Sequence, residues 1–261
     1  AKLIKRSAPD MSDENIYQKA KMVVEAEIQA IAYNEYLPLL LGPNALSKYK
    51  GFDPEVNPQL TNEFAAAAYR FGHSMVATDM YDGKINLRDT FFSSHIISNG
   101  EGIGPILEQF CNSQSETLNS KMINDLRNFL FGEPGKGGHD LAALNMQRGR
   151  DHGLASYNQV RKDLGLSTQE RRKDMDLFCG GLLECRYSKA LVGETFYLLI
   201  KDQFERIRTG DSFWYQRRMS KKQVKYINGI TLGQIMHRHT GFDRNNAFGK
   251  SKNKYKCKCH K

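Results

Sequence analysis

The chain has 261 residues, of which 40% are hydrophobic and 26% are charged, a balance typical of a folded globular domain and not of a disordered chain. No run of about 18 apolar residues occurs, so the sequence predicts no membrane-spanning helix. The formal net charge is +9, and lysines within residues 250–261 supply six of these charges. The remaining +3 on the body gives no reason to expect a nucleic-acid surface there.

The first predicted element is a long helix that follows an irregular lead-in of residues 1–12. Ser12 is a suitable N-cap, and apolar residues at helical spacing continue to about residue 36. Pro38 should kink or restart this helix, and the glycine-proline pair at Gly42 should end it. The stripe predicted to face the core consists of Ile16, Ala20, Val23, Val24, Ile28 and Ile31.

A second helix is predicted over Asn57–Asp79 and should be buried. Asn57 can cap the first amides, and Pro58 suits the first helical position because its missing N–H costs nothing there. Arg70 and His73 are three residues apart, so they project from neighbouring points of one face. A histidine on such a face is more often a satisfied core residue than a ligand. The apolar face is predicted to contain Leu60, Phe64, Ala68, Phe71, Met75 and Val76.

Helical spacing also predicts shorter helices in the rest of the chain. They cover residues 105–111, 118–130, 154–164, 194–208 and a segment that begins with a capping box of Ser220 and Gln223. The glycine-rich stretch 132–140 lacks the GK[ST] ending of a phosphate-binding loop and is predicted to be a flexible linker. With no alternating hairpin pattern and no repeats, the predicted architecture is mainly α.

Two stretches carry the strongest functional signal, FAAAAYRFGHSM at 64–75 and DLAALNMQRGRDHGLASYN at 140–158. Together they closely resemble the animal-type haem peroxidase superfamily. Further segments that match it are IYQKAKMVVEAEIQAIAYNEYLPLLLG (16–42), DLFCGGLLE (176–184), GDSFWYQ (210–216) and TGFDRNNAF (240–248). These motifs follow one another in the family's own order from about residue 10 to about residue 248.

The resemblance implies a mainly α bundle that embraces a b-type haem. Residues 13–248 would form the proximal part of the domain, and residues 249–261 a basic tail rich in lysine and cysteine. The implied activity is that of a peroxidase, which uses hydrogen peroxide to oxidise a small donor such as a halide, tyrosine or a phenol and serves in the response to oxidative stress. The resemblance also favours a secreted, extracellular protein. A non-catalytic relative that keeps the fold as a binding or adhesion module is the alternative.

Four residues match the haem-binding positions of the family. The resemblance implies that His73 is the proximal axial ligand of the haem iron and that the amide oxygen of Asn145 accepts a hydrogen bond from its ring N–H. Arg70 and Arg148 match the arginines that face the haem propionates, where a planar fork suits a carboxylate. For either arginine, a surface or interhelix salt bridge is the alternative interpretation.

The distal half of the site has no counterpart in this sequence. In the family, a distal histidine and arginine cleave peroxide, a calcium loop lies beside the histidine, and two acidic residues esterify the haem. All of these precede the segment that matches Ser12 onwards, and none of His95, His139, His237 or His239 lies in a comparable motif. The chain is therefore expected to be incomplete on its distal side, without calcium ligands, and poorly active unless an upstream half or a separate light chain completes it.

Other candidate sites have structural explanations. Asp151 and His152 suggest a catalytic pair, but the resemblance makes their segment structural. Cys179 and Cys185 could form a disulfide across CGGLLEC. The tail could be a polyanion binder, or its last cysteines could bind zinc; the zinc donors would be Cys257, Cys259 and His260 with His237 or His239, in a spacing unusual for zinc. A solvated lysine-rich tail is the default interpretation.

Overall fold

The computed structural model describes residues 1–99 and 102–240, and within these ranges helices dominate. In chain order the α-helices are α1 (Lys2–Ser7), α2 (Asp13–Ile31), α3 (Leu37–Leu41), α4 (Asn62–Ala66), α5 (Leu87–Thr90), α6 (His95–Ser98), α7 (Gly104–Asn112), α8 (Asn124–Arg127), α9 (Leu141–Asp151), α10 (Tyr157–Asp163), α11 (Leu177–Leu182), α12 (Glu194–Thr209), α13 (Tyr215–Arg218), α14 (Lys221–Asn228) and α15 (Leu232–Thr240). Strands β1 (Asp79–Tyr81) and β2 (Ile85–Asn86) form a small antiparallel sheet. The mainly α prediction is confirmed. In the described ranges, no helix combines the length and apolarity needed to cross a bilayer.

Helix α2 begins where the sequence predicts, because the Ser12 hydroxyl accepts a hydrogen bond from the Asn15 N–H at 3.3 Å. A π-helix over Ala32–Tyr36 joins α2 to α3, and Pro38 lies in the first turn of α3. Gly42 ends α3 with a φ of +93°, in the region that favours glycine. The lead-in is not irregular throughout, since α1 lies within it.

The predicted inward face of α2 is wrong in part. Val24 and Ile28 are 52% and 63% exposed, whereas Ala26 and Ala30 are completely buried. The two alanines pack in a second core with Trp214 and Tyr215. Small side chains allow the helix to approach those rings closely, so the largest apolar residues of α2 do not mark its buried side.

The helix predicted over Asn57–Asp79 is also shorter and interrupted. It begins after Thr61, whose hydroxyl accepts from the Phe64 N–H at 3.2 Å, whereas Asn57 only closes a local turn with the Gln59 N–H. At Ala67 the backbone leaves the helical region, with φ −134° and ψ −71°. A 3₁₀-helix over Ala68–Met75 then carries the motif residues in a new direction.

The helix predicted over 118–130 is wrong, since only the single turn of α8 forms there. Leu126 and Leu130 are buried at the expected spacing, but Leu118 and Met122 reach the main core from irregular chain. The linker predicted at 132–140 is instead a close-packed turn, because a Cβ at Gly138 would lie 2.6 Å from a backbone oxygen. The predictions of α7, α12 and the capping box of α14 are confirmed, and α10 begins at Tyr157 rather than at residue 154.

The main core lies between the 3₁₀-helix and helices α3, α4, α10, α11 and α12. Its buried members are Leu37, Leu40, Leu41, Phe64, Ala67, Ala68, Phe71, Tyr157, Val160, Leu177, Phe178, Leu182, Ala190, Val192, Phe196 and Ile200. Gly180 and Gly181 let α11 approach its neighbours, because a Cβ at either position would overlap the ring of Tyr157 or Phe196. Ala68 and Phe71 of the 3₁₀-helix belong to this core. The packing therefore fixes the position of the helix that carries Arg70 and His73.

Candidate functional site

The 3₁₀-helix places Arg70 and His73 on the same side. Three residues make one turn of such a helix, so side chains three apart lie almost directly above each other. Phe71 and Ser74, on the other side, are buried in the core and anchor this turn. The His73 ring is half-buried at the edge of the core and does not lie within it.

Asn145 reaches this turn from α9, whose start is fixed by Asp140. The Asp140 carboxylate accepts hydrogen bonds from the Ala142 N–H at 2.8 Å and the Ala143 N–H at 3.3 Å. Asn145 is completely buried. Its amide nitrogen lies 2.9 Å from Nδ1 of His73, and its oxygen accepts a hydrogen bond of 3.0 Å from Nη1 of Arg70.

Burial lowers the pKa of His73, and the positive charge of Arg70 lowers this pKa further, so both favour the neutral form of the imidazole. Burial also lowers the pKa of Arg70, with a second contribution from the charge of Arg148. The two guanidinium groups therefore lie within electrostatic range of each other. Among the residues that the structure describes, Arg70 has no carboxylate within ion-pairing distance; its other hydrogen bond goes to the Ala65 carbonyl at 3.0 Å.

Arg148 is less closely tied to the site than the other three residues. Its side chain is 52% exposed and lies 4.0 Å from the carboxylate of Asp151, one turn further along α9. Such an exposed pair contributes little to stability, so Arg148 can exchange this partner at small cost. The structure thus brings together His73, Asn145 and Arg70, and places Arg148 near them without a direct contact.

Asp151 and His152 make their hydrogen bonds with residues other than His73, Asn145 and Arg70. His152 is exposed, and its Nδ1 lies 3.1 Å from the Asn62 side-chain oxygen. The Asp151 carboxylate accepts a 2.7 Å hydrogen bond from Gln147 on its own helix. These partners tie α9 to α4 and cap its last turn, which agrees with the structural interpretation of this segment.

The cysteine and tail predictions have mixed outcomes. Cys179 carries a free thiol, so a Cys179–Cys185 disulfide is excluded. The zinc donors proposed in the tail lie outside the described residues, as do all of the tail lysines. Within residues 1–99 and 102–240, no three His, Cys, Asp or Glu side chains converge in a way that could hold a metal ion. A porphyrin supplies four nitrogens itself and needs only one protein ligand, so a single imidazole beside Arg70, which has no ion-pair partner among the described residues, and the exposed Arg148 fits haem.

Sequence reasoning did not anticipate the direct bond between Arg70 and Asn145. The two residues are 75 positions apart, and no spacing rule connects them. It also missed the buried network in which Arg161 donates to Glu184 at 2.7 Å and to Glu194 at 3.0 Å. That network joins α10 to α12 and stabilises the frame of the site.

The mainly α domain thus presents one imidazole, in contact with a buried asparagine, next to two arginines. The family model for the animal haem peroxidases matches residues 1–175 and 169–248, and the chain belongs to this family. Peroxinectin A of Dictyostelium discoideum is 36% identical over 96% of the chain and 52% of its own length. Mouse myeloperoxidase is 31% identical over 94% of the chain and 40% of its own length.

Solved structures agree with this assignment. Peroxidase A from Dictyostelium discoideum matches with a TM-score of 0.85 and 34% identity, over 95% of this chain and 54% of that one. The fatty acid alpha-dioxygenase of Arabidopsis thaliana, at 19% identity and a TM-score of 0.69, shares the fold. The chain therefore spans about half the length of several of the relatives that it matches.

Proposed function

We propose that this chain forms the proximal, haem-binding part of a peroxidase that uses hydrogen peroxide to oxidise a small donor. The observation that carries the proposal is the half-buried imidazole of His73, whose Nδ1 lies 2.9 Å from the amide nitrogen of the buried Asn145. The contact with Asn145 holds the ring through Nδ1 and leaves Nε2, to which no described residue hydrogen-bonds, as the nitrogen that can bind haem iron.

Each of the four residues has a role in this proposal. His73 is the axial ligand of a b-type haem, and Asn145 orients its ring. Arg70 and Arg148 bind the haem carboxylates, which supply the anionic partner that Arg70 lacks among the described residues and replace the exposed Asp151 as the partner of Arg148. When bound, the haem supplies the iron that accepts oxidising equivalents from peroxide.

The proposal also requires that the residues of the distal side come from outside this chain. An upstream half or a light chain would contribute the acid–base histidine, the arginine and the calcium site, as the family resemblance implies. An extracellular location and a role in the response to oxidative stress follow from the same resemblance. The peroxidasin homolog pxn-2 of Caenorhabditis elegans and the chorion peroxidase of Drosophila melanogaster are each 34% identical to this chain over the aligned residues.

Turnover of hydrogen peroxide with a phenolic donor tests the proposal. The full chain loaded with ferric haem should turn over slowly, and His73→Ala should reduce this rate to that of free haem, whereas the exposed His95→Ala should not. A longer chain that includes the distal segment should be faster by about 10²–10⁴-fold, the usual contribution of a positioned acid–base group. A His73→Ala chain that binds haem and reacts as before would contradict the proposal.

A further inference from the structure

The hydrogen bonds around Asn145 have a direction that chemistry determines. A guanidinium group can only donate, so the Asn145 atom 3.0 Å from Arg70 must be the amide oxygen. The amide nitrogen then faces Nδ1 of His73 at 2.9 Å. Because an amide NH₂ can only donate, Nδ1 must accept, and the single proton of the neutral ring is on Nε2.

This arrangement is the reverse of the one that an axial ligand requires. Nε2 is the ring nitrogen to which no described residue hydrogen-bonds, and it must lose its proton to bind iron. The proton must then be on Nδ1, and it needs an acceptor behind the ring. The acceptor atom of the Asn145 side chain, its amide oxygen, instead faces Arg70, and the donor NH₂ faces Nδ1.

Turning the amide over while Arg70 stays in place would not resolve the conflict. The NH₂ group would then face the guanidinium, and two donors would oppose each other in a completely buried position. Arg70 must therefore leave before the oxygen of Asn145 can face His73. A carboxylate is the group best suited to attract Arg70, which has no acidic partner in the described part of the chain.

We propose that Arg70 is a positioning residue that holds Asn145 in the orientation unsuited to iron binding, and that a carboxylate on the incoming porphyrin releases it. His73 would thus become an iron ligand only for a haem with free carboxylates. Arg70 selects the haem through Asn145 as well as by direct charge pairing. This inference rests on the proposed function for the identity of the iron ligand, but the orientation of Asn145 does not depend on it.

The sharpest test uses ferric haem and its dimethyl ester, which has no free carboxylate, with the full chain. Wild type should bind haem at least tenfold more tightly than the ester, as judged by the Soret band. Arg70→Leu should bind the ester more tightly than wild type does, because the amide is released. Simple charge pairing predicts no gain for the ester, so an unchanged or weaker affinity in a folded Arg70→Leu chain would overturn the proposal.

Arg148→Leu is the matched control, since Arg148 does not touch Asn145. It should weaken binding of haem and leave binding of the ester unchanged. A gain for the ester in this variant as well would show a general charge effect and contradict the proposal.

A second measurement needs no variant. The ¹⁵N chemical shifts of the His73 ring in the haem-free chain should show the proton on Nε2, and a proton on Nδ1 would overturn the proposal. This result is independent of the proposed function. That function fails instead if His73→Ala leaves the Soret band of the bound haem unchanged.

Discussion

Residues 82–99 and 102–139, called here the outer segment, bury some apolar side chains but leave large aromatic rings exposed, unlike the helices of the main core. Phe196 and Ile200, in the main core, are at most 1% exposed. In the outer segment, Phe92 is 87% exposed and Phe131 is 53% exposed. The outer segment still contacts the 3₁₀-helix, because the Glu116 N–H donates to the Met75 carbonyl at 3.0 Å. Changes at its exposed side chains, such as Phe92, should therefore leave the imidazole in place.

The largest expected difference comes from removing a phenylalanine ring on each side. Phe196→Ala should lower the free energy of unfolding by about 3–5 kcal/mol, because it leaves a cavity where the Phe196 ring packs against Gly181 of α11. Phe92→Ala should change it by less than about 0.5 kcal/mol. Chemical denaturation of both variants measures the difference, and equal losses would show that the outer segment is packed as tightly as the core.

A smaller difference is expected for one carboxylate on each side. The Glu184 carboxylate is buried and accepts from Arg161 at 2.7 Å and from the Tyr157 hydroxyl at 2.6 Å. Glu184→Gln removes its charge and should cost about 1.5–3 kcal/mol. Glu133 pairs with Lys136 at 3.4 Å in the exposed turn of the outer segment, and Glu133→Gln should cost less than about 1 kcal/mol. A Glu184→Gln chain as stable as wild type would contradict the assigned role of this network.

The smallest effect concerns pH. The pKa of His73 is lowered in the folded state by burial and by Arg70, from an ordinary value of 6.5. As the pH falls below this value, the unfolded chain binds a proton that the folded chain does not, so stability should fall. His73→Gln should reduce the slope of stability against pH between about pH 7 and 5. The exposed His95, in the outer segment, serves as the control, and an equal change of slope in His95→Gln would refute the assignment.

The sequence predicted the elements whose signals are local. Ser12, and Ser220 with Gln223, begin helices where their side chains can reach the first amides, and no distant residue is needed for that. The prediction failed where packing decides. Thr61 caps α4 in place of Asn57, and α4 ends where the backbone leaves the helical region at Ala67; no local pattern signals that turn.

The site was predictable to a similar extent. The motifs singled out His73, Asn145 and Arg70, and the structure brings them together. They did not show which way the Asn145 amide faces, because this depends on a contact between two elements 75 residues apart. Hydrogen-bond direction follows from three-dimensional proximity, which an amino-acid pattern does not contain.

The central claim is that His73 is the protein ligand of the haem iron, and replacement of its ring by free imidazole tests this most directly. His73→Gly leaves a space at the end of the Asn145 amide that exogenous imidazole can fill. The account predicts that His73→Gly loses the Soret band of the wild-type haem complex and that added imidazole restores it. A wild-type Soret band in His73→Gly without imidazole would contradict the account.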